Sequence, residues 1–201
     1  MCAACLAELP WNRTACARCA LPLPHAAAAC GSCLQRPPPV AATQAAFRYA
    51  FPLDRLLPRL KFHSGLAVAP LLAQLTAPMF AACERPHALI PLPLHRQRLR
   101  QRGYDQTLEL ARPVARELAL PLRVDLLHRV RAAPPQSRLS AAQRQRNLRG
   151  AFSVNASAPV PAHVALFDDV MTTGATLHAA AQALLGAGVH RVDAWVCARV
   201  A

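Results

Sequence analysis

The chain has 201 residues and only one lysine, Lys61, and its acids are few: 10 Asp and Glu stand against 23 Lys and Arg, a net charge of +13. The positive charge is therefore carried by arginine, whose planar fork suits phosphate and carboxylate better than an ammonium point charge does. A surface short of carboxylates disfavours cationic partners and favours anionic ones, whether nucleotides, sugar phosphates, nucleic acid or an anionic membrane surface. GC-rich codons also produce Arg-, Ala- and Pro-rich chains, so total charge alone does not decide. Aromatic residues are scarce at 5%. Across the most arginine-rich region Tyr104 is the only one, which excludes a dedicated platform of alternating aromatics for stacking single-stranded bases. The longest uncharged stretch, Ser64 to Cys83, is broken by Pro70, Gln74, Thr76 and Pro78, and it predicts a buried or half-buried helix rather than a membrane span. Cysteines stand where a signal peptide needs an apolar run. The expected location is the cytoplasm, with the inner face of the membrane as an alternative. With 54% hydrophobic and 16% charged residues, a packed core is expected and wholesale disorder is excluded.

What the chain does have is cysteine in pairs: Cys2-Ala-Ala-Cys5, Cys16-Ala-Arg-Cys19 and Cys30-Gly-Ser-Cys33. Two thiolates three positions apart hold one side of a metal ion, and a second pair completes a tetrahedron. In a reducing compartment this predicts structural zinc, with a disulfide framework or redox chemistry as alternatives. If neighbouring pairs share a ribbon, Cys16, Cys19, Cys30 and Cys33 are the complete set, and Cys2 and Cys5 are orphaned, an upstream pair being expected to have been cut away by a truncated start. A cross-braced arrangement using Cys2 and Cys5 stays open. Such a small module is expected to be a metal-held clip, or else a contact surface for nucleic acid or protein. Cys83 and Cys197 sit in apolar surroundings and read as core. Arg36-Pro-Pro-Pro39 is a stiff hinge, so residues 1–36 form a zinc-ribbon module and 40–201 a second domain.

In that second domain apolar runs alternate with helical patterns. Strands are expected at Ala46–Phe51, Ala88–Leu92, Pro121–Leu127, His163–Phe167 and Arg191–Ala198. Helices are expected at Asp54–Phe62, onward to about Phe80, at Tyr104–Leu118 and at Ala175–Leu185. The alternation predicts an α/β fold, a mostly parallel sheet flanked by helices. The most informative stretch is Val164-Ala-Leu-Phe-Asp-Asp-Val-Met-Thr-Thr-Gly-Ala-Thr-Leu177. It reads as an apolar strand that ends in two carboxylates, a small hydroxylic turn and a helix. Ligands of open α/β sheets bind at the carboxyl ends of strands. Thr172, Thr173, Gly174, Ala175 and Thr176 would offer amides and hydroxyls to a phosphate. Asp168 and Asp169 repel phosphate but accept from the hydroxyls of a ribose. One phosphate beside one diol describes a 5-phosphoribosyl group.

Phe167 to Leu177 resembles the signature of type I phosphoribosyltransferases, with Phe167 where that family usually has a branched aliphatic residue. The whole chain is similar to the ComF family of competence-associated proteins. The resemblance runs through the cysteine pairs, Pro91 to His95, Arg100-Gln-Arg-Gly-Tyr-Asp-Gln106, Pro135-Gln136, Leu139-Ser140, Arg146-Asn147 and Ala151-Phe152. It implies a phosphoribosyltransferase-like fold, binding of 5-phosphoribosyl pyrophosphate (PRPP) with Mg²⁺, and a link to single-stranded DNA and the competence machinery, with no acceptor identified. Family members often carry one more cysteine pair at the start. The resemblance assigns the pyrophosphate to the loop after the Ile90 strand, where Arg96, Arg98, Arg100 and Arg102 alternate. It likens Arg129–Arg149 to a mobile loop closing over PRPP, with Arg131, Arg138 and Arg146 as contributors. From Arg85 to Gly150, 14 arginines face only Asp105, Glu109, Glu117 and Asp125, more than one pyrophosphate needs. The surplus has three outlets: single-stranded DNA, an acidic partner or water. His95 reads as a base, a phosphate donor or a structural hydrogen-bonder. Gly103-Tyr104-Asp105-Gln106 is expected to open the next helix, with Asp105 at its positive end.

Overall fold

The computed structural model describes residues 1–60, 65–131, 148 and 150–201. After two short helices in the cysteine region, α1 (Ala3–Ala7) and α2 (Gly31–Gln35), come β1 (Thr43–Arg48), α3 (Leu53–Arg59), α4 (Val68–Ala81) and β2 (Ala88–Pro91). Then follow α5 (Arg96–Arg102), α6 (Gln106–Glu117), β3 (Leu127–Arg129), β4 (Phe152–Val154), β5 (His163–Met171), α7 (Ala175–Gly186) and β6 (Arg191–Arg199). Four strands form a parallel sheet in the order β1-β6-β5-β2, and β3 and β4 form a separate antiparallel pair. The expected mostly parallel sheet flanked by helices is present. No described helix is long and apolar enough to cross a membrane.

The two central strands, β5 and β6, are nine residues each and buried along nearly their whole length. Parallel strands covered on both faces are expected to read as such continuous apolar runs. On one face Val164 and Leu166 pack with Leu177, Ala181 and Leu184 of α7. On the other, Ala165 and Phe167 meet Leu72 and Phe80 of α4 and Leu110 and Val114 of α6. Phe80 stacks on Trp195 with ring centroids 4.9 Å apart and meets the edge of Phe167 at 6.0 Å. Cys197 is fully buried in this second layer and Cys83 packs at its margin, as expected of core cysteines.

The cysteine region covers the free edge of β1, which would otherwise present unpaired backbone groups. Asn12 N donates to Ala46 O at 3.0 Å, Arg48 N to Pro10 O at 2.7 Å and Thr43 N to Ala17 O at 2.9 Å, while Trp11 lies on Phe47 with centroids 4.6 Å apart.

Two expectations are corrected. The first strand lies earlier than expected, at Thr43–Arg48, because Tyr49 and Ala50 have already left the sheet for a turn. Pro121–Leu127 does not form a strand. It touches the edge of β2 through a single bridge, with Leu89 N donating to Pro121 O at 2.8 Å and Arg123 N to Leu89 O at 2.9 Å. Arg123 then folds over to Asp125 at 2.7 Å, which ends the pairing, and the strand starts only at Leu127.

Candidate functional site

In the cysteine module, Ala20 accepts a left-handed φ of 54° so that the chain turns tightly after Cys19. The turn is closed by Ala20 N to Cys16 O at 2.8 Å and held by Asn12 Nδ2 to Ala20 O at 2.9 Å. The Sγ atoms of Cys16, Cys19, Cys30 and Cys33 all lie within 4.8 Å of one another, and Cys19 and Cys30 approach to 3.7 Å. Four thiolates about 2.3 Å from a tetrahedral zinc would stand roughly 3.8 Å apart, so these residues fit the ion. Burial raises the Cys16 thiol, but amide donors from Cys30, Cys19 and Arg18 outweigh it and bring the group down to about 7. Burial pushes Cys33 up, as do the hydrogen bonds its thiol donates to Cys19 and Cys30. Cys2 and Cys5 are exposed and lie outside the cluster, where Cys2 caps α1 by accepting from Cys5 N at 3.5 Å.

The second cluster stands at the carboxyl end of β5. Consecutive strand residues face opposite sides. Asp169 shares the face of Phe167 and looks toward Asp105 at the start of α6, and Asp168 shares the face of Leu166 and looks toward Arg129. Asp168 Oδ1 accepts from Asp169 N at 2.8 Å, and Asp169 Oδ1 from Val170 N at 2.9 Å. Asp169 is 6% exposed, and its Oδ2 is enclosed without a hydrogen-bond partner among the described residues. Burial holds the Asp168 carboxyl well above the usual range, reinforced by the charges of Asp169 and Asp105. Directly after the strand, Thr172 and Thr173 are exposed and Gly174 turns with φ 76° into α7. A Cβ on Gly174 would crowd Met171 Cε and lie 2.9 Å from His178 Nε2, and the left-handed φ strains any other side chain there. Ala175 N reaches Thr173 Oγ1 at 3.4 Å, whereas the amides of Thr176 and Leu177 find no acceptor among the described residues.

The sheet register brings the chain that leads into the arginine run to this place. Pro91 is paired with Phe167, and Leu92 N donates to Phe167 O at 2.9 Å, so the chain leaves β2 level with the two aspartates. The arginine run then coils into α5, capped by His95, whose Nδ1 accepts from Gln97 N at 3.3 Å. Helical spacing puts Arg96 with Arg100 and Arg98 with Arg102 on different faces. Arg96, Arg98 and Arg100 are exposed, and Arg102 binds Gln106 Oε1 at 2.5 Å. Asp105 opens α6 as expected and does more: Oδ1 accepts from Thr107 N at 2.9 Å and Leu108 N at 3.3 Å, while Oδ2 accepts from Leu94 N at 2.9 Å. One carboxylate thus caps α6 and pins the segment leading to α5. Asp105→Ala is expected to cost about 2 kcal/mol, a lost cap plus an unmet amide at Leu94. Urea unfolding checks this, and an unchanged midpoint would contradict the pinning role.

Arg129, read in the sequence only as the start of the loop and not among its contributors, is half-buried beside Asp168 and Arg98. Burial and Arg98 lower its pKa, Asp168 raises it, and its guanidinium lies 5.6 Å from the Phe152 ring centre. Arg131 is exposed, and Arg138 and Arg146 lie outside the described residues. Buried Arg199 was also missed: its Nε donates to Cys19 O at 3.0 Å and its Nη1 to the carbonyls of Met171, at 3.4 Å, and Val200. It ties the cysteine turn to Met171, the residue that enters the glycine turn before α7. Neither arginine stands in a recognisable motif; only the fold brings them to the site.

Over 172 residues the chain is 36% identical to the DNA utilization protein YhgH of Escherichia coli O157:H7, covering 82% of this chain and 75% of the relative. It is 35% identical over 159 residues to Competence protein F of Haemophilus influenzae, covering 75% and 69%. The chain belongs to this ComF family. No family model matches it. The ComF chain also aligns with the solved structure of the allosteric regulatory enzyme of purine biosynthesis at 17% identity and a TM-score of 0.47, over 70% of this chain but only 30% of that one.

Proposed function

We propose that this ComF protein binds PRPP with Mg²⁺ at the carboxyl end of β5, holds zinc through Cys16, Cys19, Cys30 and Cys33, and serves the handling of DNA in competence. The observation that carries the PRPP reading is the juxtaposition of Asp168 and Asp169 with a glycine turn whose following amides, at Thr176 and Leu177, lack acceptors among the described residues. The carboxylates accept from the ribose hydroxyls, and Thr172 to Thr176 donate to the 5-phosphate. Arg98 and Arg129 share with Mg²⁺ the neutralisation of the pyrophosphate, the leaving group of a phosphoribosyl transfer. The link to DNA is supported by the names of the relatives. Ribose 5-phosphate, which keeps the phosphate and diol but lacks pyrophosphate, is expected to displace PRPP in a competition titration. PRPP binding indifferent to millimolar ribose 5-phosphate would place the ligand elsewhere.

A second reading rests on α5. Arg96, Arg98 and Arg100 are exposed and have no carboxylate partner among the described residues, an arrangement that suits the backbone of single-stranded DNA. On this reading the protein is a non-catalytic binder of DNA or of an acidic partner that keeps the phosphoribosyl fold. Replacing the three by Gln is expected to reduce the log–log salt slope of oligo-dT binding by about 2, three contacts at roughly 0.7 each. An unchanged slope in fluorescence anisotropy would remove α5 from the interface.

A further inference from the structure

Arg199 ends β6 and is 8% exposed, with no carboxylate partner among the described residues. Its guanidinium is divided between two parts of the molecule. Nε donates to Cys19 O at 3.0 Å in the cysteine turn, and Nη1 donates to Met171 O at 3.4 Å and to Val200 O. The sheet register fixes the residue there: Arg199 is paired with Met171 of β5 on one side and Arg48 of β1 on the other, and Val200 N donates to Met171 O at 3.0 Å. Cys19 is at once a thiol of the four-cysteine cluster and the residue whose carbonyl Arg199 binds. Four thiolates on one Zn²⁺ leave a net charge of about −2, so the loaded cluster is the counter-charge of this buried arginine. Thr173 and His178 line one cavity with Arg199, Cys19, Cys30 and Cys33. His178 stands against Gly174, and burial together with the charge of Arg199 lowers its pKa, so Arg199 is felt on both sides of the glycine turn.

We propose that Arg199 is a positioning residue that makes the order of the glycine turn, Met171 to Thr176, depend on the metal in the four-cysteine cluster. With metal bound the Cys16–Cys19 turn is fixed, Cys19 O stands at Nε, and the guanidinium holds Met171 O where the chain enters the turn. Without metal the thiols take up protons, the counter-charge is lost, and Cys19 O no longer has a fixed place. The arginine then has one anchor instead of two, and the backbone it holds is freed with it. Two separate sites that bias one shared side chain are the requirement for a coupling free energy between them. Its consequence for ligand binding rests on the PRPP reading. Amides at Thr172 to Thr176 that are already ordered spend less affinity on ordering, so metal removal should weaken PRPP about tenfold. By reciprocity, PRPP should slow the loss of zinc.

Amide hydrogen exchange, read by mass spectrometry on peptides spanning Met171 to Leu177 of the full chain, tests this without any ligand. In the zinc-loaded wild type, well below its melting transition, a chelator is expected to speed exchange there about fivefold or more, while β2 stays protected. Arg199→Met with zinc bound should already exchange fast at these positions and should respond little to the chelator. Thr43→Val removes a different bond to the cysteine turn, Thr43 Oγ1 to Arg18 O, and should keep the wild-type response. The second arm is zinc transfer to a chromogenic chelator: saturating PRPP with Mg²⁺ should slow it in the wild type about tenfold and leave Arg199→Met unchanged, an effect that an arginine serving stability alone does not produce. Wild-type exchange in zinc-loaded Arg199→Met, or no response of Met171 to Leu177 to the chelator in the wild type, would overturn the proposal. The exchange coupling without any PRPP binding would remove the phosphoribosyl reading and leave the role of Arg199 standing.

Discussion

Removing the metal from the four-cysteine cluster is expected to lower the melting temperature by at least about 10 °C, several kcal/mol for a domain of this size. The magnitude follows from what the cluster replaces. Cys16, Cys30 and Cys33 form a small core of their own, with Cys19, Leu21, Leu23 and Ala29 packed against it among the described residues. A core that small cannot hold a segment folded, and metal binding in zinc modules contributes about 10–16 kcal/mol of apparent folding free energy at pH 7. The loss does not stay local. Thr43 N and Oγ1 bond to Ala17 O and Arg18 O, and Arg199 bonds to Cys19 O and Met171 O, so releasing the cysteine turns uncovers the edge of β1 and loosens the glycine turn that follows β5. Calorimetry with and without chelator measures the effect, and elemental analysis should find one zinc per chain. Cys19→Ser should mimic chelation, whereas Cys5→Ser, exposed and outside the cluster, should not. A metal-free protein that melts at the same temperature would contradict the assignment.

The paired substitution Asp168→Asn with Asp169→Asn is expected to weaken PRPP at least about 100-fold while raising the stability of the free protein. Each carboxylate accepting from a ribose hydroxyl contributes about 1.5–3 kcal/mol, and two give that loss or more. Stability moves the other way because the two acids crowd one strand end, where burial, Asp169 and Asp105 raise the Asp168 pKa. Neutralising them relieves a buried like-charge pair, for a gain of about 1 kcal/mol. The pH dependence follows from the same shift. Between the ordinary carboxylate value and the raised one, the folded state holds a proton that the unfolded state has released, so stability falls as pH rises through that window. PRPP needs the ionised form, so its affinity should fall on acidification at a pH above the ordinary carboxylate range. The amide variant should show neither dependence. Melting curves across pH, paired with titrations, test both halves, and a destabilised variant with wild-type affinity would contradict both.

The parts of this molecule legible in the sequence are those where one local rule decides. The apolar runs Val164–Phe167 and Ala194–Ala198 marked β5 and β6, because a strand covered on both faces has no polar side to show. The turn from Asp168 to Thr176 was legible because two acids, two threonines and a glycine at a strand end have few other uses. Cysteine spacing gave the four-thiol cluster and left Cys2 and Cys5 open, since spacing alone does not say which pairs converge. α5 was read as a loop because Arg96–Arg102 is polar on nearly every face and has no apolar period; its helix rests on the His95 cap and the Gly103 stop, at φ 82°. β3 and β4 are three residues each and separated by 22 positions, too short and too distant for a pattern to show. The roles of Asp105, Arg129 and Arg199 depend on which backbone amides and carbonyls the fold delivers to them. Asp105 was legible as a cap, but its hold on Leu94 was not.

The central claim is the phosphoribosyl site, and a calorimetric titration of PRPP with Mg²⁺ into the zinc-loaded wild-type protein tests it most directly. The account predicts saturable binding at one site per chain, lost when Asp168 and Asp169 are both replaced by Asn. A folded, zinc-loaded protein that gives no binding with PRPP and Mg²⁺ would contradict it.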